Sequence, residues 1–201
     1  MSLGARRLRS VAGPLVAVAA LLTGCLHGLA SLTSEQEKGL GEAQRIADRV
    51  TKGYGVPGVR IYAVGLEPGT GGRYTYHHDW IFVRPEMLTG PRFKVLISHE
   101  LGHVTLRHGA IDGTVVQPTA AGFEHERAAN RRGVEILMKY LELSEQEALN
   151  EYATFFIQAD RFRHGQEVLM PFGHLRPCEE LKTLWEDFGK PAPPCGEAVK
   201  R

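Results

Sequence analysis

Ser98-His99-Glu100-Leu101-Gly102-His103-Val104 sets two imidazoles four residues apart, with a carboxylate directly after the first. On a helix, residues i and i+4 share a face, so His99 and His103 can each turn a ring nitrogen to one metal ion. Zinc accepts such nitrogens at about 2.0–2.1 Å, and a catalytic site takes three protein ligands and leaves one position open. Glu100 then lies beside the metal without ligating it, where it can take a proton from an attacking water. The pattern implies the apparatus of a zinc-dependent peptide-bond hydrolase. A chance match among nine histidines is the alternative, and the flanking sequence argues against it. Gly90-Pro91 offers a helix start with proline at the first position, and Gly109 offers a stop. Between them Val95, Leu96, His99, His103 and Leu106 share one side, so the motif faces a core.

The third ligand must come from downstream. His108 follows His103 by five residues, off the helical stripe, and reads as a residue near the C-terminal end of the helix dipole. Residues Ala120 to Tyr140 read as a second helix carrying two acidic candidates. Glu126 shares its face with Phe123, Ala129, Asn130, Gly133 and Leu137, whereas Glu124 lines up with Arg127, Arg131 and Glu135 on a charged, solvated face. Glu126 therefore points inward, where an ionised carboxylate needs a partner. A metal ion is one such partner and a buried arginine is the other. Asn130, one turn on, is placed to accept a hydrogen bond from a ligating histidine.

These residues resemble the zinc metallopeptidases that include the HtpX heat-shock protease, the CAAX prenyl endopeptidases and BepA-type periplasmic lipoproteins. The resemblance covers most of the chain beyond residue 33. It rests on Ser34-Glu35-Gln36-Glu37-Lys38-Gly39-Leu40-Gly41, Trp80-Ile81-Phe82-Val83, the run from His99 to Gly109, and Glu126-Arg127-Ala128-Ala129-Asn130. The last matches a family pattern, ExxAD, whose glutamate is the third zinc ligand, which implies that role for Glu126. Two departures stand out. The family's aspartate is Asn130 here, and Tyr76-His77-His78-Asp79 replaces a glycine-rich stretch. The resemblance further implies a histidine that stabilises the oxyanion, for which His174 is the candidate; a surface loop histidine is the other reading. Tyr152, Arg161 and Arg163 are further options for that role.

Ahead of this region, Arg6, Arg7 and Arg9 precede an apolar stretch from Val11 to Leu22 that ends in Leu22-Thr23-Gly24-Cys25. The stretch is shorter than a spanning helix needs and reads as an export signal. The ending resembles a bacterial lipobox. That resemblance implies a signal peptide (1–24), a short tether (25–33) after a lipidated Cys25, and a peptidase domain (34–201). An ordinary signal peptide cut near Ala30 is the alternative. Setting Cys25 aside leaves Cys178 and Cys195, an even pair suited to an oxidising compartment, either bridged or both free. Leu26 after the cysteine points, by analogy with lipoprotein sorting, to the periplasmic face of the outer membrane.

With 201 residues and a formal net charge of +1, the chain suits one domain and carries no electrostatic case for nucleic-acid binding. Helices are expected from Glu35 to about Thr51, opened by a Ser34–Glu37 capping box, from Ser144 to about Arg163, and from Glu179 to Phe188. Strands are expected at Val59–Val64, Arg73–His77 and Trp80–Arg84. The expected fold is α+β and zincin-like, a minimal gluzincin in which a small, mostly antiparallel sheet lies over the motif helix. In that arrangement Trp80, Ile81, Phe82 and Val83 form the sheet edge that pairs with an extended substrate, a reading compatible with the plainer one of a core strand. The expected partners are polypeptide substrates, together with the membrane through the lipid. The expected activity is zinc-dependent endopeptidase cleavage of envelope polypeptides, with quality control of misassembled outer-membrane proteins as its setting. A zinc-bound lipoprotein that clasps clients without cutting them is the rival.

Overall fold

The computed structural model describes residues 31–66, 71–75, 78–108, 120–163 and 175–195. Helix α1 (Ser34–Tyr54) is closed at its start by Thr33, whose hydroxyl accepts from the Gln36 N–H while the Gln36 side chain accepts from the Thr33 N–H. The capping box thus sits one residue ahead of the expected Ser34–Glu37 pair. Both pairs satisfy the pattern, but the earlier one follows directly on Leu32, which packs against the core. Ala43, Ile46, Ala47 and Val50 recur at helical spacing and are buried beneath the sheet.

Three short strands follow: β1 (Arg60–Ala63), β2 (Gly72–Thr75) and β3 (Trp80–Val83). The spatial order is β1-β3-β2, with β3 parallel to β1 and antiparallel to β2. The sheet is therefore mixed, rather than mostly antiparallel. It also corrects the expectation for Trp80–Val83: this strand is central, with both sides of its backbone paired, and is no edge for a substrate. β3 is apolar at all four positions, which marks a strand but leaves its neighbours open; long-range pairing with β1 on one side and β2 on the other places it in the middle. Ile61, Ala63, Ile81 and Val83 face inward, and Tyr62, Trp80 and Phe82 form a ring cluster on the outer face.

A short 3-10 turn (Pro85–Met87) leads to α2 (Phe93–Thr105), the motif helix. It is shorter than the stretch between Gly90-Pro91 and Gly109 suggests. Gly90 sits at φ +85° and the chain is still turning at Pro91 and Arg92, while the far end closes before Gly109 is reached. Arg107 takes a left-handed conformation at φ +55°, its N–H donates to the Val104 carbonyl, and the His108 N–H donates to the His103 carbonyl. That pair of bonds is the Schellman closure of a helix, here without the usual glycine.

Helix α3 (Ala120–Tyr140) leads to α4 (Glu145–Arg163), capped by Ser144 with Glu147, and α5 (Pro177–Asp187) completes the described elements. Two buried clusters flank α2. One gathers α1, the inner sheet face and Leu96, Ile97, Leu101 and Val104. The other gathers Val95, Val134, Leu137, Leu149, Tyr152, Leu181, Leu184 and Trp185 from α2 to α5. Cys178 and Cys195 are joined by a disulfide, tying the proline-rich tail to α5. Among the described residues no helix is long and apolar enough to cross a membrane. The architecture is α+β, with α2 held between the sheet and the remaining helices.

Candidate metal centre

The site exists because α2 and α3 cross closely. A Cβ built on Gly102, inside the motif, would lie 2.5 Å from the Ala129 carbonyl oxygen, so only glycine allows this approach. Gly133, one turn beyond, similarly makes room for the Tyr152 ring and the His99 backbone. At this separation Glu126, one turn before Ala129, reaches both motif histidines.

His99 Nε2 lies 3.2 Å from His103 Nε2, and Glu126 Oε2 lies 3.2 Å from the first and 3.4 Å from the second. A tetrahedral ion with bonds of about 2.0–2.1 Å sets its ligand atoms about 3.3–3.4 Å apart. The three atoms thus already stand at the spacing such an ion requires, and they are the group among the described residues able to hold one. Glu124 is exposed on the opposite side, among Arg127, which pairs with Asp187, and the Arg131–Glu135 pair.

Each histidine has its second nitrogen engaged. His99 Nδ1 is 2.9 Å from Asn130 Oδ1, an acceptor, so Nδ1 donates there and Nε2 is turned toward the ligand triangle. His103 Nδ1 is 2.9 Å from His108 Nδ1. Sequence reasoning assigned His108 only to the helix dipole; a signal was available in its spacing, because residues five apart at a Schellman end are brought together. Burial opposes charge on His99, but the hydrogen bond and negative charge of Glu126 outweigh it and raise His99 to about 9 in the metal-free site. Burial and then the neighbouring imidazoles of His103 and His125 lower His108 to about 4, leaving it neutral.

Glu100 is 5% exposed, and a Cβ on Gly72 would come within 2.9 Å of its Oε1. Its carboxylate therefore rests against the backbone of β2, close enough for its charge to be felt at His99, and lies outside the ligand triangle. β1 cannot offer an equivalent edge, because the Gln44 side chain donates to the Val59 carbonyl and accepts from the Ile61 N–H. On β2, Gly71 accepts from the Arg84 N–H across the sheet, so strand alternation turns the polar backbone groups of Gly72 away from β3. The sheet edge next to the metal residues is thus β2.

Glu180 of α5 is a buried carboxylate that the sequence reading passed over. It shares with Glu126, Asn130, Phe123 and Leu175 the lining of a small hollow, and its negative charge is felt at His99. Tyr152 is withdrawn as an oxyanion donor: it is fully buried in the second core, its hydroxyl 3.4 Å from that of Ser98. His174, the side chains of Arg161 and Arg163, and Cys25 lie outside the described residues.

A helix-borne histidine pair completed by an inward glutamate from the next helix, under a small sheet, defines a zinc metallopeptidase-like domain. Residues 55–163, more than half of the chain, match the family model Peptidase_M78, described as the IrrE N-terminal-like domain, and the chain belongs to that family. The match runs from β1 through α4 and so contains His99, Glu100, His103 and Glu126. It carries the zinc-peptidase part of the resemblance and does not name the HtpX, CAAX or BepA groups. No curated protein and no solved structure matches the chain.

Proposed function

We propose that the protein is a zinc-dependent endopeptidase that cleaves polypeptides of the bacterial cell envelope. The observation that carries this reading is the triangle of His99 Nε2, His103 Nε2 and Glu126 Oε2, with the Glu100 carboxylate beside it and not in it. A zinc ion held by those three residues supplies a Lewis acid that polarises the scissile carbonyl and makes water acidic enough to attack.

The chain's own residues supply the rest. Glu100 takes the proton from the attacking water and returns it to the leaving amine. An extended substrate adds to the outer edge of β2, where the backbone of Gly72 holds it against Glu100. His174 is proposed as the donor to the developing oxyanion. Asn130 keeps His99 in the ligating tautomer.

The setting is an extension of the same proposal: a lipid on Cys25 anchors the domain at the periplasmic face of the outer membrane, and misassembled outer-membrane proteins are substrates, as the resemblance to BepA-type lipoproteins implies. Replacement of Cys25 by serine should then release the protein from the membrane fraction; retention would remove the anchor from the proposal.

The deciding experiment measures bound zinc and cleavage of casein or an unfolded porin by wild type and Glu100→Gln. One equivalent of zinc in both, with cleavage lost only in the variant, supports the enzyme. Zinc in both with cleavage in neither supports the second reading, a zinc-bound module that clasps clients, which Asn130 favours because a neutral partner makes His99 a weaker donor to the metal. Absence of zinc refutes both.

A further inference from the structure

The C-terminal end of α2 does more than stop the helix. In a Schellman closure the third residue from the helix end and the second residue beyond the cap come into contact, usually through apolar side chains. Here those positions are His103 and His108, and their Nδ1 atoms are 2.9 Å apart. Two nitrogens at that distance form a hydrogen bond only when one carries the proton. When His103 Nε2 ligates an ion together with His99 Nε2 and Glu126 Oε2, the proton of His103 belongs on Nδ1 and His108 Nδ1 accepts it. His108 in turn lies flat on His125, the residue before Glu126, with ring centroids 4.3 Å apart and planes 16° from parallel. The left-handed Arg107 that swings His108 back is paired with Asp79 at 3.7 Å.

We infer that His108 is the positioning residue of this centre, fixing His103 in its metal-binding tautomer and orientation, with His125 as the ring that keeps His108 in place. The two ligating histidines then have different supports: an amide oxygen from α3 for His99, and an imidazole from the end of the motif helix itself for His103. This deepens the metal-centre reading and rests on it.

Two measurements on the purified full chain test it. In metal-free protein, nitrogen-15 correlation spectra of the imidazoles read the tautomer directly: His103 should carry its proton on Nδ1 in wild type and shift toward Nε2 in His108→Ala. Zinc affinity by chelator competition should fall about 10–100-fold in His108→Ala. His108→Asn, whose Oδ1 takes the place of the accepting nitrogen, should recover most of that loss, and His125→Ala should cost less than His108→Ala. An Nε2 proton on His103 in wild type overturns the inference, as does undiminished zinc affinity in His108→Ala. Should wild type bind no zinc, the metal-centre reading and this inference both fall. Should His108→Ala fail to fold, the wild-type tautomer and the asparagine variant still decide.

Discussion

Gly102→Ala tests how the fold makes the site. Judged by helix propensity alone, alanine should stabilise the interior of α2 by about 1 kcal/mol. The packing predicts the opposite. The new Cβ would stand 2.5 Å from the Ala129 carbonyl oxygen and 3.1 Å from its carbon, where contact begins at 3.0 Å and is ordinary from 3.4 Å, so α3 must withdraw by about 0.5–0.9 Å. Overpacking of that kind costs about 1–3 kcal/mol, which leaves a net loss of about 0–2 kcal/mol and a Tm lower by up to several degrees. The effect on metal should be larger. Glu126 lies one turn from Ala129, so the same withdrawal stretches its 3.2 and 3.4 Å approaches to the histidines toward 4 Å. That exceeds the roughly 0.5 Å within which such a constellation stays productive, and zinc affinity should drop on the order of tenfold or more. Calorimetry on metal-free protein and chelator competition on the loaded form measure the two effects. A raised Tm with unchanged zinc affinity would refute the claim that this glycine sets the α2–α3 spacing.

Three further outcomes follow from the same structure. Because Glu126 raises His99 to about 9, against about 6.5 unfolded, the charged imidazole stabilises the metal-free fold fully below pH 6.5, and that contribution is lost as pH climbs toward 9. Thermal melts of chelated protein should therefore decline across that window, and Glu126→Gln should flatten the decline; a wild-type profile with no such slope would contradict the His99–Glu126 coupling. Gly72→Val places a side chain where Glu100 now rests, so cleavage should fall at least tenfold with zinc content unchanged, and full activity in that variant would exclude the β2 edge as the substrate track. Cys178→Ser opens a crosslink spanning 17 residues, which the chain-entropy model values at about 3 kcal/mol; equal Tm with and without reductant in wild type would show that the bridge contributes nothing.

What was legible in the chain is what depends on neighbours a few residues apart. The four-residue spacing of His99 and His103 and the inward face of Glu126 are consequences of helical periodicity, which any helix imposes on its own sequence. The span of α3, the Ser144 cap and the acceptor role of Asn130 could be read for the same reason. Where two local patterns competed, at Thr33–Gln36 and Ser34–Glu37, packing of Leu32 accompanies the earlier choice.

Only the tertiary structure decided which strand is central. Strand order is a matter of long-range pairing, and a continuous apolar run such as Trp80–Val83 marks a strand without stating which neighbours it takes. It also decided that Gly102 meets Ala129, that Gly72 meets Glu100, and that Glu180 arrives from α5 beside Asn130. The sequence by itself singled out the candidate ligands, because their chemistry and spacing are local. The distance between those ligands, and the groups that orient them, came from how the helices and the sheet pack together.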